Sequence, residues 1–109
     1  MKTITRALSD AGVICRRLER FDPARIGSRR RIAIYEGVDT ENRYVLLFHI
    51  ARKSRILRAD AESLLAMRRQ IEAAVGHPFR QVFLLPEAPL CSKAAARLKE
   101  EGWRILPTG

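Results

Sequence analysis

Residues 44–51 form an apolar segment in which His49 is the only strongly polar side chain. Alternating side chains of a strand point to opposite faces, and both alternating sets of this segment are apolar. The pattern predicts a central strand that is covered on both faces. Directly after it come four basic residues: Arg52, Lys53, Arg55 and Arg58. A buried strand that ends in such a cluster suggests an anion site at one end of a sheet; a solvated basic loop is the alternative.

A second apolar segment, residues 32–38, precedes the central strand. The two are separated by the polar residues 39–42, DTEN. A strand, a polar turn and another strand indicate a β-hairpin.

Residues 13–20 predict a further strand with imperfect alternation. Arg16 and Arg20 share a face with apolar side chains, which is typical of an edge strand or of a strand with one wet side. An exposed edge over residues 13–18 can pair with a second copy of the chain, so we expect that a homodimer can form.

Three segments predict helices. In residues 60–75 apolar side chains recur every three or four positions, and Asp60 is a candidate N-cap. Residues 3–11 predict a short first helix, and residues 93–101 predict a third helix capped by Ser92.

Residues 81–85 and 103–106 are short apolar runs that predict the last two strands. The predicted order is therefore α-β-β-β-α-β-α-β. This order indicates an α/β (α+β) fold with a single mixed β-sheet flanked by helices. With 109 residues, we expect one domain spanning residues 1–109.

The chain carries no apolar run long enough for a transmembrane helix, and its N-terminus lacks the apolar segment of a signal peptide. We therefore expect a cytoplasmic protein without a membrane partner. Cys15 and Cys91 are far apart and form no metal-binding motif, so we expect free buried thiols, no metal site and no cofactor. His49 is best explained as a residue of the core or its boundary.

The formal net charge is +9, and 17 of the 21 basic residues are arginine. Arginine suits bidentate phosphate contacts, and a strongly basic balance favours DNA or RNA as a partner. Residues 21–31 form a loop by composition that ends in three arginines. The candidate nucleic-acid-binding residues are Arg16, Arg29, Arg30, Arg31, Arg52, Lys53, Arg55 and Arg58. With Arg17 and Arg20, they belong to the first three strands and their loops, so adjacent strands would give them a shared positive face.

The order of elements and the segment 43–64, RYVLLFHIARKSRILRADAESL, resemble the PD-(D/E)xK nuclease superfamily. The nearest resemblance is to the restriction-endonuclease-like domain of Holliday-junction resolvases, and it covers residues 3–106. It implies a nuclease-like scaffold with a basic segment after the third strand.

The superfamily carries an acidic residue near the start of its second strand, and a carboxylate and a lysine two residues apart on its third. Here the second strand begins Arg31-Ile32, and the third reads Phe48-His49-Ile50-Ala51. Metal-assisted cleavage needs oxygen ligands and a group that activates water. The resemblance therefore implies a catalytically degenerate member, without catalytic or metal-binding residues at these positions.

Three functions follow as hypotheses. The first is a nucleic-acid-binding module on a nuclease-like scaffold, without cleavage activity. The second is a protein-interaction or regulatory domain whose charge is incidental or meets an acidic protein. The third is an active metal-dependent nuclease with rearranged ligands, for which Glu36, Asp39 and His49 are the candidates.

Overall fold

The computed structural model describes residues 2–27 and 32–107. Its elements are, in chain order, α1 (Lys2–Asp10), β1 (Cys15–Phe21), a short 3₁₀ helix (Pro23–Ile26), β2 (Ala33–Asp39), β3 (Tyr44–Ala51), α2 (Arg58–Val75), β4 (Gln81–Glu87), α3 (Ser92–Glu100) and β5 (Arg104–Ile105). The predicted order of helices and strands is confirmed.

The five strands form one mixed sheet in the order β1-β2-β3-β4-β5. Strand β2 is antiparallel to both β1 and β3, whereas β4 is parallel to β3 and β5 is parallel to β4. The predicted hairpin, the central position of β3 and the edge position of β1 are all confirmed.

The pairing defines two ends of this sheet. At one end, which we call the carboxyl end, β3 and β4 finish at Ala51 and Glu87, and β2 begins at Ala33. At the other end, the hairpin end, the turn between β2 and β3 starts after Asp39. Along β3 the two ends are about 25 Å apart, since eight strand residues rise by about 3.3 Å each.

Both faces of the sheet are covered, as the apolar pattern of β3 predicts. On one face α2 and α3 enclose the larger core, where the rings of Phe48 and Trp103 stack with centroids 5.1 Å apart. Trp103 is only 3% exposed and belongs to this core. On the other face Ile4 and Leu8 of α1 pack against the side of β3 that carries Leu47. Burying each of these large side chains contributes about 1.5–3 kcal/mol.

The start of α2 differs from the sequence-based prediction. The N-cap is Leu57, and Asp60 lies at the third helical position. From there the Asp60 carboxylate accepts a hydrogen bond from the Leu57 backbone N–H at 2.8 Å. Asp60 therefore satisfies a donor at the helix start, as a capping residue would, but it reaches back to that donor from inside the helix.

The end of β4 and the start of α3 differ from the prediction as well. Strand β4 continues through Pro86 to Glu87, because a proline at the end of a strand forfeits only one ladder donor. Helix α3 has Cys91 as its N-cap, so that Ser92 is the first helical residue and not the cap.

Cys15 and Cys91 are free, as predicted, but partly exposed and not fully buried. None of the helices in the described part of the chain is both long and apolar enough to span a membrane.

Candidate nucleic-acid interface

The basic loop, residues 52–57, runs along the carboxyl end of the sheet between β3 and α2. Ile56 fixes its path, because the Ile56 N–H donates to the Pro89 carbonyl at 2.8 Å and the Ile56 carbonyl accepts from the Cys91 N–H at 2.9 Å. The Ile56 side chain is fully buried. The basic loop is thus attached to the segment that follows β4 and has a defined position.

Arg52 organises the inside of this loop. Its Nη2 donates to the Arg55 carbonyl at 2.9 Å and to the Asp60 carboxylate at 2.7 Å, and its Nε donates to the Ser54 carbonyl at 3.2 Å. A guanidinium offers several donors in a fixed plane, so one side chain can hold two loop carbonyls and a helix carboxylate together. Arg52 therefore holds the loop in place and has few donors left for a ligand.

Lys53, Arg55 and Arg58 are the outward-facing cations of the carboxyl end. All three residues are exposed. Within residues 2–27 and 32–107, none of their side chains takes part in a hydrogen bond or an ion pair. They are the predicted binding residues that the structure leaves available to an anion.

Two helix N-termini add positive potential at the same end, since α2 and α3 both begin there. The pKa of the Cys91 thiol reflects this positive potential. The backbone N–H groups of Ala94 and Lys93, and then the charges of Arg55 and Lys93, outweigh the effect of burial and lower the pKa of Cys91 below its ordinary value of 9.0. The carboxyl end therefore favours negative charge.

Further cations extend this surface toward β1. The Arg20 guanidinium lies over the Tyr35 ring, 5.6 Å from its centroid, and Arg25 lies over the Phe21 ring at 4.6 Å. Both arginines are exposed. Arg25 was not predicted from the sequence, because it lies in a loop without a regular hydrophobic pattern. Its position four residues after the aromatic Phe21 was the available signal.

Arg16 does not belong to this surface, and the expectation of one shared face is wrong for it. It lies beside the hairpin end, where its Nε donates to the Asp39 carbonyl at 3.3 Å and its Nη2 donates to the Asn42 side chain. In consecutive antiparallel strands the start of β1 and the end of β3 are at opposite ends of the sheet. Arg29, Arg30 and Arg31 lie outside the described residues.

His49 and its neighbour on β2 lie on the α1 face near the carboxyl end. In the register of the sheet Ala33 of β2 is directly opposite His49 of β3, and Tyr35 is opposite Leu47. The His49 Nε2 lies 2.6 Å from the Glu87 carboxylate. Beside this pair is a cavity of about 610 Å³, lined by Thr3, Arg6, Ala7, Asp10, Leu85, Glu87 and Pro107. Asp10 and Glu87 are the carboxylates of this lining, and Glu87 is already paired with an imidazole, so the cavity does not offer the oxygen-rich shell that Mg²⁺ requires.

The alternative ligand set is not brought together either. Glu36 is opposite Leu46, on the α2 face, whereas His49 is on the α1 face. Ala33 is the β2 residue opposite His49, and Asp39 lies six residues further along β2, at a distance of about 20 Å from Ala33. Among the described residues no three His, Cys, Asp or Glu side chains are placed to hold a metal ion. Glu36, Asp39 and His49 therefore cannot form one site.

Asp39 instead fixes the hairpin turn. Its carboxylate accepts from the backbone N–H of Glu41 at 2.9 Å and of Arg43 at 2.8 Å, and from Gln81 Nε2 at 2.8 Å. Burial opposes ionisation of Asp39, but these two N–H groups and the Arg43 guanidinium, 2.9 Å away, outweigh it and lower the pKa of the Asp39 carboxyl.

Solved structures of endonucleases are similar in fold to this chain. A repair endonuclease from Pyrococcus abyssi matches with a TM-score of 0.52 and 18% identity, over 82% of this chain and 37% of that chain. EndoMS in its apo form matches with a TM-score of 0.57 and 18% identity, over 87% of this chain and 37% of that chain. The chain has the restriction-endonuclease-like fold. The resemblance seen in the sequence is therefore confirmed at the level of the fold.

A third match is the structure of an EndoMS complex with double-stranded DNA, with a TM-score of 0.52 and 16% identity, over 95% of this chain and 42% of that chain. This chain thus spans about two fifths of the length of the endonucleases it matches. No protein-family profile matches the sequence, and a search of curated proteins finds no significant match.

Proposed function

We propose that this chain is a DNA-binding module that contacts the phosphate backbone of duplex DNA with the carboxyl end of its sheet. The observation that carries the proposal is the exposure of Lys53, Arg55 and Arg58 on a loop that Arg52 holds in place. A restriction-endonuclease-like fold, shared with an endonuclease whose structure contains double-stranded DNA, supports duplex DNA as the ligand.

The order of the loop matters for affinity. A mobile basic loop would lose conformational entropy on binding, whereas a loop fixed by Ile56 and Arg52 presents its cations already in position. The N-termini of α2 and α3 point to the same region and favour phosphate groups. Phosphate contacts of this kind carry no sequence information, so the module binds duplexes of different sequence with similar affinity.

In this proposal the module binds DNA without cleaving it. Near the carboxyl end, the α1 face carries Ala33 and Tyr35 on β2 and His49 on β3, and none of these residues is a carboxylate or a lysine. Glu87 is paired with His49, and Asp10 is the other carboxylate in the lining of the neighbouring cavity. Among the described residues no three His, Cys, Asp or Glu side chains are placed to hold a metal ion, and the cavity lining offers no lysine to activate water.

The test is a titration of a fluorescent DNA duplex at several salt concentrations. Its key variant replaces Lys53, Arg55 and Arg58 with alanine. The matched control replaces Arg69, Arg80 and Lys99, which are equally exposed but lie away from the carboxyl end, so that both variants lose three charges. We expect the first variant to lose affinity on the order of 100-fold at about 0.1 M salt, and the control to lose far less.

The same reactions, with Mg²⁺ or Mn²⁺ added and analysed on a denaturing gel, test for cleavage. Intact DNA with salt-dependent binding supports the proposal. Equal losses in the two triple variants would show that binding depends on net charge alone and would reject the carboxyl end as the interface. Metal-dependent nicking would reject the non-cleaving module, and tighter binding to duplex RNA or to single strands would reject duplex DNA as the ligand.

A further inference from the structure

Strand β1 is the outermost strand of the sheet, and β2 is the one described strand that pairs with it. Its outer side therefore presents backbone N–H and C=O groups that can accept another strand. Natural edge strands are commonly protected by a proline, by a strong bulge or by charged side chains, and the charged side chains of β1 carry both signs, so that they can pair with those of a second copy. Here the seven residues Cys15–Phe21 contain no proline, and the irregularity in their pairing is confined to residues 15–17.

An apolar groove accompanies this edge on the α1 face. Ile14 is 65% exposed, although it is a large aliphatic residue, and Leu18 is partly exposed. Together with Thr5, Leu8, Ser9, Val13 and Cys15 they line a cavity of about 260 Å³ between α1 and β1. Apolar side chains beside a free strand edge favour burial against another chain.

On the opposite face the charges of the edge are unbalanced. Glu19 of β1 is directly opposite Glu36 of β2, a cross-strand pair of like charges. Arg17 lies 3.8 Å from Glu19, with both side chains more than half exposed. The Glu36 Oε2 atom is buried without a hydrogen-bond partner. Two carboxylates therefore share one nearby arginine, and a further cation would balance the charge at this position.

We propose that two copies of the chain pair along β1, antiparallel, about a two-fold axis at Leu18. In this register each Arg17 is directly opposite Glu19 of the other copy, so two opposite-charge pairs form across the axis. Registers centred one residue earlier or later place Arg17 opposite its own copy or Glu19 opposite its own copy. Both of these put like charges directly opposite each other at the axis, and among the three registers only the one centred on Leu18 places an arginine opposite Glu19, in the row that contains Glu36.

This pairing satisfies the free edge of β1, covers the apolar groove and adds a cation near Glu36. The free edge gains ladder hydrogen bonds, and Leu18 packs against its symmetry copy in the apolar groove. Arg17 of the second copy is two strand spacings, about 9.6 Å, from Glu36 on the same face. At that separation two long side chains that lean toward each other can meet, so the incoming arginine supplies the missing cation. Two-fold symmetry makes the interface closed, which limits the assembly to a dimer.

This register also places Arg16 opposite Arg20 of the second copy, which are like charges. Both side chains are already engaged within their own chain, Arg16 with Asn42 and Arg20 over the Tyr35 ring. The repulsion between two chains of net charge +9 is screened at about 0.15 M salt, where the Debye length is about 8 Å.

Charge reversal tests the proposal through sedimentation equilibrium of the full chain. Arg17→Glu and Glu19→Arg each replace both cross-axis pairs with like charges, so we expect each variant alone to raise the dissociation constant of the dimer at least about tenfold. An equal mixture restores two opposite-charge pairs. In the heterodimer both positions are acidic on the Arg17→Glu chain and basic on the Glu19→Arg chain, so each acidic side chain faces a basic one. The mixture is expected to form heterodimers of twice the monomer mass.

The matched controls are Arg69→Glu and Glu100→Arg, which change the net charge equally but lie on α2 and α3. They are expected to leave dimerisation close to that of the unmodified chain. A monomeric unmodified chain, a dimer unaffected by either β1 reversal, or a mixture that stays monomeric would each overturn the proposed interface.

Disulfide formation provides a second measurement that does not depend on charge. In a chain with Cys15→Ser and Cys91→Ser, a Leu18→Cys substitution places one thiol at the axis, within reach of its copy. Arg20→Cys is the control, because four residues, about 13 Å, then separate the two thiols along the strands. Mild oxidation is expected to cross-link the first variant and not the second; equal cross-linking of the two would overturn the register.

Discussion

The Nη2 atom of Arg52 lies 2.7 Å from the carboxylate of Asp60, and this contact joins the basic loop to the start of α2. Both side chains are partly buried. The same Asp60 carboxylate accepts the Leu57 N–H, so one side chain fixes the end of the loop and the first turn of the helix. The exposed cations of the carboxyl end depend on this arrangement for their positions.

We therefore expect Arg52→Ala and Asp60→Asn to show coupled effects. Each single variant should lower the free energy of unfolding by about 1 kcal/mol, and the double variant by less than the sum. Chemical denaturation of the four proteins measures the coupling, which we expect to be about 0.5–1 kcal/mol. Strict additivity would contradict a direct interaction. Arg52→Lys, which keeps the charge but loses the planar donors, should behave more like Arg52→Ala than like the unmodified chain.

Arg58 is a cation in the first turn of α2, the end of a helix where positive charge is unfavourable. Arg58→Ala is therefore expected to raise the stability of the fold by about 0.3–1 kcal/mol. The same substitution should weaken DNA binding, because it removes one phosphate contact. Thermal unfolding and a DNA titration on the same preparation measure both effects. A loss of stability, or an affinity equal to that of the unmodified chain, would mean that Arg58 is not placed there for binding.

The two cysteines should titrate on opposite sides of their ordinary pKa of 9.0. Burial, and then the Asp39 charge, raise the pKa of Cys15, whereas the N–H groups at the start of α3 lower the pKa of Cys91. Alkylation rates followed against pH in the single Cys→Ser variants give the two midpoints. Arg55→Ala should raise the Cys91 midpoint and leave that of Cys15 unchanged. Identical midpoints for the two thiols would contradict the positive environment at the carboxyl end.

Asp39 should make the stability of the hairpin depend on pH. Its pKa in the folded chain is below the ordinary value of 3.8, so the stability it contributes is complete above that value. This contribution is lost as the pH falls through the lower pKa of the folded state. The unfolding free energies of the unmodified chain and of Asp39→Asn should therefore differ most near neutral pH and converge at the lowest pH values. A difference that is constant with pH would show that the hydrogen bonds do not depend on the charge.

The order of elements and the central position of β3 were predictable, because a strand that is apolar on both faces needs neighbours on both sides and helices on both faces. The separation of Arg16 from Arg52 could also have been predicted from the sequence. The hairpin signal makes β2 antiparallel to β3, and when β1 is antiparallel to β2 as well, β1 and β3 run in the same direction, which places the start of one and the end of the other at opposite ends of the sheet. Grouping the basic residues by sequence alone, without the strand directions, did not show that Arg16 and Arg52 lie at opposite ends.

Other features depend on geometry that sequence patterns do not carry. The placement of Glu36 and His49 on opposite faces depends on the register of the hairpin, and a shift of one residue reverses it. The pairing of Arg52 with Asp60 depends on the path of the basic loop between Ile56 and the segment after β4. No local pattern predicts that Arg52 turns inward while its neighbour Lys53 stays exposed.

Contact between the carboxyl end of the sheet and DNA phosphates predicts a particular salt dependence of duplex binding. The slope of the logarithm of the binding constant against the logarithm of salt concentration counts phosphate contacts, at about 0.9 per contact. Replacing Lys53, Arg55 and Arg58 with alanine should reduce this slope by roughly 2.7, whereas replacing Arg69, Arg80 and Lys99 should leave it nearly unchanged. If both triple variants keep the slope of the unmodified chain, the carboxyl end does not contact DNA phosphates.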